Sequence, residues 1–214
     1  GKYDPPGNPT TGGPLAAEAS IACTRSDWIL EGGAIDGDGS GTFITTEQCL
    51  LNPNRNPGFD KAEVEERLGR DLGASRVVWL GDGLLNDHTD GHVDNLARFV
   101  GPNRVAIPEA TAGDPNARVY ADAAEALLDA DLEVVAIPSP GLVVRDGEII
   151  PASYMNFYIG NAAVVVPLYG AANDGAAVEA IQALFPDRKV VGLRADHILT
   201  GGGSFHCISQ QVPA

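Results

Sequence analysis

Three short stretches concentrate the groups able to do chemistry. Leu30-Glu31-Gly32-Gly33 places an acid before two glycines inside a strand-like run. Asp87-His88-Thr89-Asp90-Gly91-His92-Val93-Asp94 interleaves acids with two histidines. Gly201-Gly202-Gly203-Ser204-Phe205-His206-Cys207 brings a cysteine out of a glycine run. Taken singly, each also has a structural account. Glu31 fits a solvated bulge shaped by its glycines. His92 and Asp94 fit the polar face of a strand, and Cys207 fits a small core hydrophobe. The glycines fit a turn, and no Lys-Ser/Thr follows them to make a phosphate loop.

Together the stretches say more. Cys207, His92 and Glu31 are the parts of a nucleophile, its acid/base partner and a carboxylate that orients the partner. Asp94 adds a second negative charge, which plain acyl transfer does not need and a cationic substrate does. The combination points to attack on a guanidinium carbon, with Asp94 and Asp87 as candidate acids on the substrate side. A metal is the competing reading, because His88 and His92 are four apart, as zinc ligands on one helix face would be. Asp90-Gly91 is a poor helix interior, however, and on a strand Asp87 and His88 face opposite ways. The site is therefore expected to hold no metal, and a metal hydrolase would be separated by chelation.

The net charge of −15 over 214 residues speaks against a nucleic-acid partner, which needs a basic face. It suits a cationic substrate, although an ordinary acidic protein has the same composition. No apolar run approaches the roughly 20 residues of a membrane span. Gly1-Lys2-Tyr3 shows no initiator methionine and no apolar leader, so the sequence is expected to begin partway through a longer one. Cys23, Cys49 and Cys207 are too few and too scattered for a disulfide framework, which fits a reducing cytoplasm.

The elements that must position these groups follow from periodicity and turn chemistry. Residues 1–14 read as loop. Trp28–Ile35 and Gly41–Leu50 read as strands around the turn Asp36-Gly37-Asp38-Gly39-Ser40. A helix opens at Asp60 with Glu63 as capping partner, buries Val64, Leu68 and Leu72, and stops at Gly73. Strands are expected at 76–80, 104–107, 133–137, 189–193 and 205–209, with a helix at 121–130. A second hairpin spans 154–168, and Asp174 caps a helix ending at Leu184. Strand pairs alternating with single helices make the class α/β, in one unit without a linker.

At these residues the sequence resembles the agmatine deiminase family of the guanidino-group modifying (pentein) superfamily. The stretches that carry the likeness are Leu30-Glu31-Gly32-Gly33, Thr45-Thr46-Glu47-Gln48-Cys49 through Asn52-Pro53-Asn54-Arg55-Asn56-Pro57, Thr89-Asp90-Gly91-His92-Val93-Asp94, Ala152-Ser153-Tyr154-Met155-Asn156-Phe157-Tyr158, and Gly201-Gly202-Gly203 through His206-Cys207-Ile208-Ser209-Gln210-Gln211. The resemblance implies a five-bladed ββαβ propeller, of which residues 1–214 would supply about three units as a single catalytic domain. It implies Cys207 as nucleophile, His92 as general acid/base, Glu31 as its orienting carboxylate and Asp94 as one of two acids on the guanidinium. It also implies agmatine as substrate, N-carbamoylputrescine and ammonia as products in putrescine biosynthesis, no cofactor, and possible homo-oligomers. The family's other guanidinium-binding acid sits in an upstream arginine-aspartate-threonine-glycine-proline motif, which this sequence lacks. Ser204-Phe205 stands where many members have asparagine-isoleucine, a change read as packing variation. Rival readings are an arginine or peptidylarginine deiminase, and an inactive fragment that needs an N-terminal part.

Overall fold

The computed structural model describes residues 8–199 and 203–211. It opens on α1 (Asn8–Glu18), a helix where the Gly, Pro and Thr content suggests loop; the start of that expected loop lies outside the described residues. The chain then runs three times through one motif. The first unit is β1 (Ile35–Gly37), β2 (Thr42–Thr45), α2 (Glu47–Leu50), α3 (Lys61–Leu72) and β3 (Arg76–Trp79), with β1 antiparallel and β3 parallel to β2. The second is β4 (Arg98–Gly101), β5 (Arg104–Glu109), α4 (Ala117–Asp129) and β6 (Glu133–Pro138), paired in the same way. A short hairpin follows, β7 (Val144–Arg145) and β8 (Glu148–Ile149). The third unit is β9 (Tyr158–Ile159), β10 (Ala163–Leu168), α5 (Asp174–Leu184) and β11 (Lys189–Arg194), and α6 (Asp196–Leu199) closes the series. Each unit is ββαβ: a parallel pair needs a crossover, and the helix supplies it. The expected α/β class holds.

Local chemistry accounts for the helix ends. The Asp60 carboxylate accepts the Glu63 N–H at 3.0 Å, and Gly73 ends α3 in the left-handed region at φ 73°. Val64 and Leu68 are buried as expected, whereas Leu72 is half exposed, so the buried stripe ends a turn early. α5 is capped by Asn173; Asp174 is its first residue, and its carboxylate takes the Tyr154 hydroxyl at 2.7 Å.

The units interlock through their helices. Tyr120, Ala123 and Leu127 of α4 pack with Ile44 and Val78 of the first sheet as well as with their own Val105 and Ile107. Ala177 and Ile181 of α5 pack likewise with Ala106 and Ile137 of the second sheet. Arg98, only 3% exposed, ties all three units together. Its Nε donates to Asp36 at 3.1 Å, and its NH1 group donates to the carbonyls of Met155 and Phe157 at 3.2 and 2.9 Å.

Several expected strands are not strands. Only residues 35–37 and 42–45 pair in the first hairpin, with Gly32–Ala34 a 3-10 turn and Glu47–Leu50 helical. Tyr154–Asn156 is also a 3-10 turn, and residues 205–208 form turns where a strand is expected. β4 and the β7–β8 hairpin were not foreseen, because Gly101-Pro102 and Asp146-Gly147 break up runs already short.

Because α4 is shared by two sheets, Leu127→Ala should loosen both. We expect a loss of about 2–5 kcal/mol, read as a lowered urea midpoint with an unchanged slope.

Candidate active site

Each unit is preceded by a 3-10 turn, and these turns meet. Their leading residues are Glu31, His92 and Ser153, spaced 61 residues apart at each step. Glu31 and His92, at equivalent places in the repeat, face one cavity, while Ser153 is buried and takes the Met155 N–H. Glu31, Gly32, Gly33, Thr89, His92, Gly203, His206, Cys207 and residues 209–211 line that cavity, of about 340 Å³.

Asp94 lies fully buried beneath this cavity. Its Oδ2 accepts from His206 Nδ1 at 2.8 Å and from the Cys207 thiol at 3.1 Å. Asn156, also fully buried, fixes the turn that carries the cysteine. Its Oδ1 accepts the backbone N–H groups of Ser204, His206 and Cys207 at 2.9, 3.1 and 3.2 Å. Its Nδ2 donates to Cys207 Sγ and to Asn95 Oδ1, each at 3.0 Å. Two glycines are fixed by close approach. A Cβ on Gly33 would lie 2.6 Å from His92 Nδ1 and 2.7 Å from Asp94 Oδ2, and one on Gly203 would lie 2.4 Å from Cys207 Sγ.

Glu31 is held by Arg55, whose Nε reaches Glu31 Oε2 at 2.6 Å while its other nitrogens reach Asp90 Oδ2 at 3.2 Å and the Thr89 carbonyl at 2.6 Å. Asn56 clamps the same segment through both backbone groups of Ile29. His92 Nε2 stands 3.9 Å from Glu31 Oε2, an ion-pair distance beyond hydrogen bonding. That nitrogen is buried without a hydrogen-bond partner.

The electrostatics follow from this packing. Burial raises the Cys207 thiol and the neighbouring Asp94 charge raises it further, to about 12; although the residue is exposed to the cavity, Sγ itself is wedged between Asp94 and Asn156. Burial works against the His92 cation, but Cys49 and Glu31 outweigh it and hold the imidazole up to about 10. Burial likewise opposes charge on Glu31, and His92 and Arg55 together bring it down to about 2. Asp94 is lowered against its own burial, chiefly by His206. At neutral pH the resting site holds two carboxylates, an imidazolium and a protonated thiol.

The structure brings Cys207, His92, Glu31 and Asp94 to one place. It does not bring Asp87, whose carboxylate is turned away from the cavity toward Thr89 and Asn95. His88 is exposed, so the His88–His92 pairing considered for a metal is absent. The group with metal-binding capacity among the described residues is instead Glu31, Cys49 and His92. Sequence reasoning passed over Arg55, Asn156 and His206. Asn156 was detectable as a lone amide within the apolar run Tyr154–Phe157, since a buried amide needs partners. Arg55 was detectable as a cation in a segment that no regular element can use.

The family described as Porphyromonas-type peptidyl-arginine deiminase matches residues 1–213. A protein of Marinomonas sp. (strain MWYL1), named as a candidate agmatine deiminase, is 41% identical over 223 residues, covering 93% of this chain and 60% of the relative. Among solved structures, an agmatine deiminase of Enterococcus faecalis superposes with a TM-score of 0.89 at 37% identity, over 94% of this chain and 62% of the other. An agmatine deiminase of C. jejuni with substrate bound superposes at 0.90 and 30% identity, over 96% and 63%. The chain thus spans about three-fifths of the length of the relatives it matches.

Alkylation of Cys207 by iodoacetamide in the free protein should be slow at neutral pH and keep rising with pH, without levelling off below about 12. Asp94→Asn removes the repelling charge, so its profile should shift to lower pH and its neutral rate should rise. Gly33→Ala, forced against His92 and Asp94, should cost about 1–3 kcal/mol, measured by urea unfolding.

Proposed function

The chain belongs to the Porphyromonas-type peptidyl-arginine deiminase family, and from that premise we propose that the protein hydrolyses agmatine to N-carbamoylputrescine and ammonia. The observation that carries the reading is the Cys207 thiol, 3.1 Å from a buried carboxylate in a cavity also lined by His92 and Glu31. Asp94 accepts N–H bonds from the planar guanidinium and sets its carbon against Sγ. The substrate's charge offsets the repulsion that keeps the thiol protonated, so the thiol gives its proton to solvent and the thiolate forms as substrate docks. The S–C bond then forms, His92 gives its proton to the departing nitrogen, and ammonia leaves a covalent thiouronium. Water adds to that carbon as His92 takes one of its protons; the S–C bond then breaks, the urea loses its O–H proton to solvent, and the released thiolate regains a proton as product leaves.

Agmatine is favoured over free arginine by what lines the cavity. Among the described residues the lining contains no Lys or Arg to receive an α-carboxylate. The net charge of −15 favours a dication. Peptidyl-arginine is the second reading, favoured by the family's description, since its backbone bears no such carboxylate. The three ββαβ units are read as three of five propeller blades, supported by the likeness to agmatine deiminases. The reaction is placed in putrescine biosynthesis in the cytoplasm, consistent with three unpaired cysteines.

Ammonia release decides between these. Agmatine should be turned over in preference to free arginine and peptidyl-arginine, Cys207→Ala should be silent, and His92→Gln should lose about 10²–10⁴ in rate. Activity surviving Cys207→Ala, no ammonia from any of the three even with the segment bearing the second guanidinium-binding acid supplied, or a preference for peptidyl-arginine rejects the agmatine assignment.

A further inference from the structure

Cys49 neither makes nor breaks a bond in the chemistry just described, yet it lies against the acid/base histidine. It is fully buried in the first unit, on α2, where Thr46 caps the helix and accepts the Cys49 N–H at 3.3 Å. One ligand atom each from Cys49, Glu31 and His92 lies within 4.8 Å of the other two. His92 is 7% exposed, and its Nε2, the nitrogen on the Glu31 side, is buried with no hydrogen-bond partner. A thiol, an imidazole and a carboxylate brought together around an unsatisfied nitrogen form a donor set suited to zinc.

We propose that Glu31, Cys49 and His92 form an inhibitory site for a thiophilic divalent cation, Zn²⁺, distinct from the Cys207 nucleophile. Neighbouring ligand atoms around tetrahedral zinc are about 3.3–3.8 Å apart, so atoms within 4.8 Å of one another need close by no more than about 1–1.5 Å. Glu31 can supply that movement, because its side chain is 36% exposed at the cavity wall. The cavity lined by Glu31 and His92 offers the entry path and a place for water as fourth ligand. Arg55 is the nearby cation that opposes binding. It takes one oxygen of Glu31, and its charge is shared with Asp90. With Cys49 as thiolate the charges still balance: zinc and Arg55 against Cys49, Glu31 and Asp90. Binding displaces the protons of Cys49 and His92 into solvent.

The metal would tie up the nitrogen side of the acid/base and draw away the carboxylate that orients it. That consequence rests on the deiminase reading; the binding itself does not. The test is therefore made on Cys207→Ser, which cannot form the covalent intermediate. Titration with Co²⁺ should give a thiolate-to-metal charge-transfer band, and Zn²⁺ should abolish it at one equivalent. In Cys49→Ser, shown folded by far-UV circular dichroism, the band should be absent. Glu31→Gln, at the cavity edge, should keep the band while weakening Zn²⁺ binding about tenfold or more. A band that survives Cys49→Ser, a band lost in Cys207→Ser, or no band at all overturns the proposal. In the wild-type chain Zn²⁺ should suppress ammonia release and a chelator should restore it. If the Co²⁺ band appears as expected but no substrate is turned over even with the segment bearing the second guanidinium-binding acid supplied, the deiminase reading fails and the metal site stands.

Discussion

A carboxylate with no exposed surface has surrendered its hydration, and the free energy lost must be returned by its neighbours or the group will take a proton. Asp94 is in this position, and its pKa is lowered all the same, so it stays a carboxylate. The return comes through one oxygen, Oδ2, which collects His206 and the Cys207 thiol, while Oδ1 has no hydrogen-bond partner. Much of the centre follows from that charge. His206 must stand where it does, the thiol is held as a donor, and the backbone at position 33 must come so close that no side chain fits. In the proposed reaction, the half-satisfied carboxylate would receive a planar cation with N–H groups to offer.

Holding such a charge requires walls that do not give, and the repeated ββαβ unit provides them. Each unit sends a 3-10 turn to the centre, and the turns are locked to one another by side chains that hydrogen-bond across unit boundaries. Asn95 and Asn156, from the second and third turns, are joined directly. Arg98 links the first, second and third units through Asp36 and the carbonyls around Asn156. Buried polar contacts of this kind specify one arrangement because every alternative strands a donor or a charge. The helices α4 and α5, each packed on two sheets, supply the apolar burial that makes the arrangement stable.

Much of this could be read in the sequence where local chemistry decides the outcome. The cap at Asp60, the stop at Gly73, the crossover helices and the class are all local signals, and the four residues Glu31, His92, Asp94 and Cys207 declared themselves by type and company. What stayed hidden depends on distance. The repeat was legible as an order of hairpin, helix and strand but not residue by residue, because it preserves position and not residue type: Glu31, His92 and Ser153 share a place in the fold and nothing in chemistry. Asp87 stood close to His92 in sequence, yet its carboxylate is spent on Thr89 and Asn95. Residues 205–208 looked like a strand from their apolar flanks, but Asn156 takes three of their neighbourhood's N–H groups and makes a turn of them. Arg55 and His206 acquire meaning only through carboxylates at 24 and 112 residues' separation.

In the proposed reaction, the two raised pKa values of the site favour a cationic substrate. With Cys207 pushed toward 12 and His92 toward 10, the empty site holds a protonated thiol beside an imidazolium. On the proposed reading, a guanidinium placed on Asp94 would reverse only the first of these, because the charge it offsets is the one that raises the thiol. The imidazolium, set by Cys49 and Glu31 on its other side, would keep its proton for the leaving nitrogen. A neutral urea on the same carboxylate would carry no charge to offset, so the thiol would return to its protonated state. On that proposal, discrimination between substrate and product would lie in charge, at the same buried carboxylate that fixes the geometry of the site.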